Sequence, residues 1–116
     1  MTLPPKSNPK KLNSLQLKTL CLLQELARHP DTYQTEPDTG RKVLTVFPNP
    51  HGNHFHLGAY VVGTADATGL RNEAVWVALE RKGMAVNHYP TAIVLTEEGE
   101  AYETGMRGTI LHGSDH

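Results

Sequence analysis

A single cysteine stands among the 116 residues, Cys21, so no disulfide can form within the chain and no cysteine-based zinc site can be built. That usage fits a reducing compartment, and a cytoplasmic location is the expectation. Long apolar runs are missing as well. No stretch approaches the roughly 20 consecutive apolar residues of a membrane helix. Met1-Thr2-Leu3-Pro4-Pro5-Lys6 lacks the apolar core of a secretory leader, so no membrane partner is expected. Positive charge is not in excess either: the formal net charge of −1 is not the balance of a nucleic-acid binder. Also absent are a glycine loop able to cradle phosphate, a Gly-x-Ser-x-Gly turn and a carboxylate pair in a plausible pocket. Catalysis is the least supported class, and the expectation is a non-enzyme without a resident cofactor.

What is present fits one small domain. An apolar content of 38% over this length can bury one modest core without metal or disulfide staples. Charge is unevenly spread. Lys6, Lys10, Lys11 and Lys18 precede the first acid, Glu25, whereas Glu97, Glu98, Glu100 and Glu103 form a run without a base. Such runs most often serve as solvated surface.

Residues 1–11, with Pro4, Pro5, Pro9 and three lysines, read as a flexible basic arm. A first helix begins near Asn13, where Asn13 and Gln16 have capping-box spacing and Leu12 and Leu17 that of a hydrophobic staple. Leu15, Leu20, Leu22, Leu23, Leu26 and Ala27 are its core side. Ser14, Lys18, Cys21, Glu25 and Arg28 are its polar stripe, with Cys21 an inert flank residue, and Pro30 stops the run. Residues 31–42 read as a polar connection with a turn at Pro37-Asp38-Thr39-Gly40. Lys42–Phe47 and His54–Val62 read as two strands that pair as a β-hairpin across Pro48–Asn53. Thr64–Gly69 reads as a loop or a single helical turn. Leu70–Lys82 is a second helix burying Ala74, Val75, Ala78 and Leu79, with Gly83 as its left-handed stop. Met84–His88 and Ala92–Leu95 are two short strands around a bend. Thr96 caps a short last helix, with Glu97 and Glu98 in its first turn. The fold class is α+β: one domain over residues 12–104, followed by a flexible tail, 105–116.

The order Leu79-Glu80-x-x-Gly83-Met84, strand, bend, strand, Leu95-Thr96-x-x-Gly99 resembles the back half of a winged-helix domain of the MarR-like kind. The resemblance covers residues 70–104 and, loosely, the first helix. It implies a small winged-helix-like domain that binds DNA and modulates transcription, with the helix before the wing in the major groove. Arg71, Asn72 and Glu73 would then face base edges, with Trp76 one turn on. Arg81 and Lys82 would contact phosphates, and His88 and Tyr89 would sit on the wing. The chain departs from the family where the hairpin-like segment Lys42–Val62 replaces a short strand and positioning helix. Glu73 and Glu80, moreover, repel phosphate.

Two other readings stand beside this one. A winged-helix-like protein–protein module would use the hairpin face and Trp76 without touching nucleic acid. The sequence allows a homodimer without requiring one. A metal-responsive domain would use His51, His54 and His56. His54 and His56 share one strand face, and His51 from the turn would be a third ligand for zinc or another divalent ion. Along one continuous strand, Tyr60 and Val62 would extend that face.

Overall fold

Asn13 does begin the first helix, as its spacing from Gln16 demands. In the computed structural model, which describes residues 8–48 and 52–113, α1 spans Ser14–Leu26. The Gln16 amide donates to Asn13 Oδ1 at 2.8 Å and the Asn13 amide to Gln16 Oε1 at 2.9 Å, the reciprocal capping box. At the other end the Thr32 hydroxyl lies 2.6 Å from the Leu26 carbonyl and 2.9 Å from that of His29, closing orphan acceptors where Pro30 forbids further helix.

From Thr19 to Ala27 every residue of this segment is buried. That corrects the expected polar stripe: Cys21 is fully buried and Glu25 nearly so. The cause lies downstream. Residues 99–111 cover Cys21, Gln24 and Glu25 and supply each with a partner. Gln24 Nε2 donates to the carbonyls of Gly99 and Tyr102, both at 2.8 Å. Arg107 Nη1 donates to Glu25 Oε1 at 2.6 Å, and Thr104 bonds the Cys21 thiol. Burial pushes that thiol up, and the Thr104 bond and the Arg107 charge offset only part of the rise. Residues 105–113, which carry little sequence pattern, form α4 (Arg107–Ile110) and a strand (His112–Gly113), with Ile110 fully buried.

Two small antiparallel sheets flank the helices. β1 (Tyr33–Thr35) falls inside the segment read as a polar connection, and it pairs with β2 (Lys42–Leu44) across the expected Pro37–Gly40 turn. β2 does not pair with the His54–Val62 segment. Its other edge takes the distant strand Ala92–Leu95, with Val43 opposite Val94. The His54–Val62 segment is itself a hairpin, β3 (His54–Leu57) and β4 (Tyr60–Gly63), because Gly58 at φ +59° reverses the chain midway. A Cβ at Gly58 would lie 2.4 Å from the His29 ring. The reversal also removes the expected continuous face: Val62 is buried opposite Phe55 rather than exposed beside the histidines.

The segment read as a loop or a single helical turn, Thr64–Gly69, lies in a longer 3-10 helix, Thr64–Arg71, packed on α1. Their approach is close, since a Cβ on Gly69 would stand 1.8 Å from Thr19 Oγ1. α2 covers Glu73–Arg81, starting later than Leu70 because Asn72 is its N-cap. β5 (Ala85–His88) and β6 (Ala92–Leu95) follow as an antiparallel pair, completing the order β1-β2-β6-β5. α3 (Glu97–Ala101) precedes α4, and β7 (His112–Gly113) pairs with β4 to give the order β3-β4-β7. Val75 and Leu79 of α2 lie in one core with Leu22 and Leu26 of α1 and Ile93 and Leu95 of β6.

The two halves of the sequence motif touch. Gly83 at φ +82° ends α2, and its carbonyl accepts from the Thr96 hydroxyl at 2.7 Å. Thr96 Oγ1 in turn accepts from the Gly99 amide at 3.0 Å. A Cβ on Gly99 would lie 1.9 Å from the Met84 carbonyl oxygen, a backbone atom that cannot swing aside. Gly99→Ala should therefore destabilise by about 2 kcal/mol or more, as overpacking does in tight cores. Gly108→Ala, which meets open space in α4, should cost nothing or stabilise slightly. Urea unfolding of both variants checks this, and equal midpoints would contradict it.

Glu25 links folding to pH. Burial alone would raise its carboxyl. Hydrogen bonds from Arg107 and His29, with the charges of Arg107 and Arg28, outweigh burial and hold it below the unperturbed 4.5. A depressed carboxyl contributes stability in full above its unfolded-state value, and that contribution is lost as pH falls through the lower folded-state value. Stability of the wild type should therefore fall as pH drops below about 4.5, more steeply than in Glu25→Gln. Parallel pH profiles of the two proteins would show that the carboxylate is not linked to folding.

Candidate nucleic-acid interface

The start of α2 is fixed by its cap. Asn72 Oδ1 accepts from the Ala74 amide at 3.0 Å, so a bidentate Asn72–adenine pair would compete with the helix's own first turn. Arg71, the last residue of the 3-10 helix, is exposed. Its backbone carbonyl accepts from the Tyr89 hydroxyl at 3.0 Å, which ties the β5–β6 bend to the beginning of α2. The ring of Tyr89 stands edge-on to Trp76 at 4.8 Å between centroids, and Phe47 lies 5.6 Å from Trp76 on a tilted plane. Trp76 is buried and donates its indole N–H to the Gly69 carbonyl at 3.2 Å. It therefore joins α2 to the β5–β6 bend rather than standing exposed.

The outward face of α2 consists of Glu73, Ala74, Val77, Glu80 and Arg81. The Glu80 carboxylate accepts from the Asn87 amide at 3.0 Å and so steadies β5. Val77 is 39% exposed in the middle of this face. His88 ends β5 and is exposed. Lys82 has a different place from the one its sequence position suggested. Its ammonium donates to the carbonyls of Lys10 at 2.7 Å and Lys11 at 3.2 Å, so it fastens the chain before α1 against the end of α2. Asn8 completes that fastening: its side chain bonds both the carbonyl and the amide of Leu12, and it accepts from the Tyr102 hydroxyl. Lys10 also pairs with Glu98 at 3.6 Å.

The expected DNA-binding set thus divides. Arg71, Arg81 and His88 lie exposed on α2, its approach and the end of β5. Asn72 and Lys82 hold the fold. Only the first of these roles is visible in sequence, for Asn72 followed by Glu73 is an N-cap with an acidic first turn. No local pattern announces Lys82, whose carbonyl partners lie 72 and 71 residues away.

The histidine cluster is only partly described. His54 and His56 do share a face, with ring centroids 5.3 Å apart and the planes nearly perpendicular. His51 lies outside the described residues. Among the described residues, no group of three His, Cys, Asp or Glu side chains is arranged to hold a metal. No helix among them is long and apolar enough to cross a membrane. The chain matches no protein-family model, and no match was found among curated proteins or among solved structures.

Lys82→Met should loosen residues 8–12 without unfolding α2. Hydrogen exchange at the Lys10 and Leu12 amides, now bonded to Tyr102 and Asn8, should accelerate, with a stability loss of about 1 kcal/mol. Unchanged exchange there would mean that Lys82 is not the fastener.

Proposed function

We propose that the chain is a winged-helix-type domain that contacts duplex DNA through α2 and the β5–β6 wing, as a transcriptional modulator rather than an enzyme. The observation that carries this reading is the Tyr89–Arg71 tie. A helix that runs directly into a two-stranded wing is braced against that wing, with Arg71, Arg81 and His88 exposed along the pair. The sheet order β2-β6-β5 and the sequence of α1, 3-10 helix and α2 support it, the 3-10 helix standing in the order where such domains carry a positioning helix. The β3–β4 hairpin is then an insertion before that helix. The basic chain at Lys10 and Lys11, fastened beside the end of α2, adds cations where the helix itself has few.

A second reading is favoured by one feature. Val77 is exposed between Glu73 and Glu80, a mixed face better suited to a protein partner than to phosphate.

Anisotropy titration of labelled mixed-sequence duplexes at low salt separates the two. On the DNA reading, Arg81→Ala weakens binding evenly across sequences and lowers the salt slope by about 1. Arg71→Ala instead relaxes sequence preference by roughly 1–3 kcal/mol. Absence of binding at low salt would transfer the face to a protein partner.

A further inference from the structure

The exit of β2, the β3 strand and the 3-10 helix line a partly open cavity of about 260 Å³. Its walls are the rings of Phe47 and Phe55 with Pro48, Ala67 and Leu70. Thr68 contributes a hydroxyl, while the Thr64 hydroxyl is already directed to the Gly52 carbonyl at 3.3 Å. Among the described residues no carboxylate lines the cavity, and its one charged lining residue, Arg71, already has a partner of its own. The volume sets the size of the guest. An enclosed apolar cavity of roughly 150 Å³ holds benzene, and drug-sized molecules need about 300 Å³ or more. One substituted ring or two fused rings fit between these limits.

We propose that this cavity is a binding site for a compact, uncharged ring compound of mainly apolar character. Its guest would be held by burial against Phe47, Phe55 and Leu70 rather than by ion pairing. The site is wired to α2 by contact. Leu70 and Arg71 immediately precede the Asn72 cap, and Phe47 lies against Trp76. A guest that shifts Phe47 or Leu70 therefore reaches the helix start and the Tyr89 tie. The site itself does not depend on the DNA reading, and its test uses no DNA.

Trp76 is the only tryptophan, so its emission reports on Phe47 directly. The full chain is titrated with toluene, indole-free naphthalene and, as anionic counterparts, benzoate and naphthoate, with thermal unfolding followed in parallel. The neutral rings should raise the melting temperature by roughly 5 °C at tenfold excess over the dissociation constant and change Trp76 emission saturably. Ala67→Leu narrows the cavity from the core side, and Thr68→Phe fills it from the exposed side of the 3-10 helix. Both responses should be lost in whichever of these variants retains the wild-type circular dichroism. Three results would overturn the proposal: no response to the neutral rings, an undiminished response in a folded cavity-filled variant, or binding of the carboxylates alone.

Discussion

Glu25, Gln24 and Cys21 sit on the part of α1 that is buried throughout, Thr19 onward, and the rest of the fold is arranged around their needs. A buried carboxylate without partners would cost several kcal/mol, and a buried amide left unpaired about 1–3 kcal/mol. The chain answers both with residues 99–111. Arg107 and His29 meet Glu25, the carbonyls of Gly99 and Tyr102 meet Gln24, and Thr104 meets the Cys21 thiol. Among the described residues no buried side-chain polar atom is left without a partner. The segment after α3 is thus held by polar matching as well as by Ile110 and Leu111. Its position over α1 in turn completes the core.

A second constraint runs from the first. With Gln24 bonded to Gly99, α3 is pinned close to α1, and the missing Cβ of Gly99 lets Met84 approach it. Gly83, Met84, Thr96 and Gly99 form one junction, so α2 and β6 cannot move independently of each other. The aromatic row Phe47–Trp76–Tyr89 performs the same service at the opposite end of α2. The outward face of α2 is thus carried on a helix fastened at both ends.

Elements governed by near neighbours were readable from the chain. The Asn13–Gln16 box, the Pro37–Gly40 turn, the Gly83 stop and the Thr96 cap each satisfy backbone groups within a few residues, and each stands where expected. Pairing choices were not readable in this way. Lys42–Leu44 has an apolar, β-branched pattern that fits any partner, and its actual partner, Ala92–Leu95, lies about fifty residues on. Gly58 carried the signal for the β3–β4 reversal, but within a nine-residue β-like run it also reads as a bulge. Burial of Cys21 and Glu25 was hidden because periodicity reports one side of a helix, whereas here a later segment covers the other. Of the candidate site, Arg71, Arg81 and His88 fell on exposed positions of α2, its approach and the end of β5. The fastening role of Lys82 and the cavity beside Leu70 emerge only from tertiary contacts.

The claim that most needs direct trial is that α2 and the wing form one DNA-contacting surface. Amide chemical shifts of the isotopically labelled chain, followed during addition of a short duplex at low salt, resolve it residue by residue. The account predicts that perturbations concentrate at Arg71–Glu73, Val77, Glu80–Arg81 and His88–Thr91, and spare the β3–β4 hairpin. Shifts confined to the hairpin or the α4 segment, or no shifts under conditions that saturate basic DNA-binding domains, would contradict it.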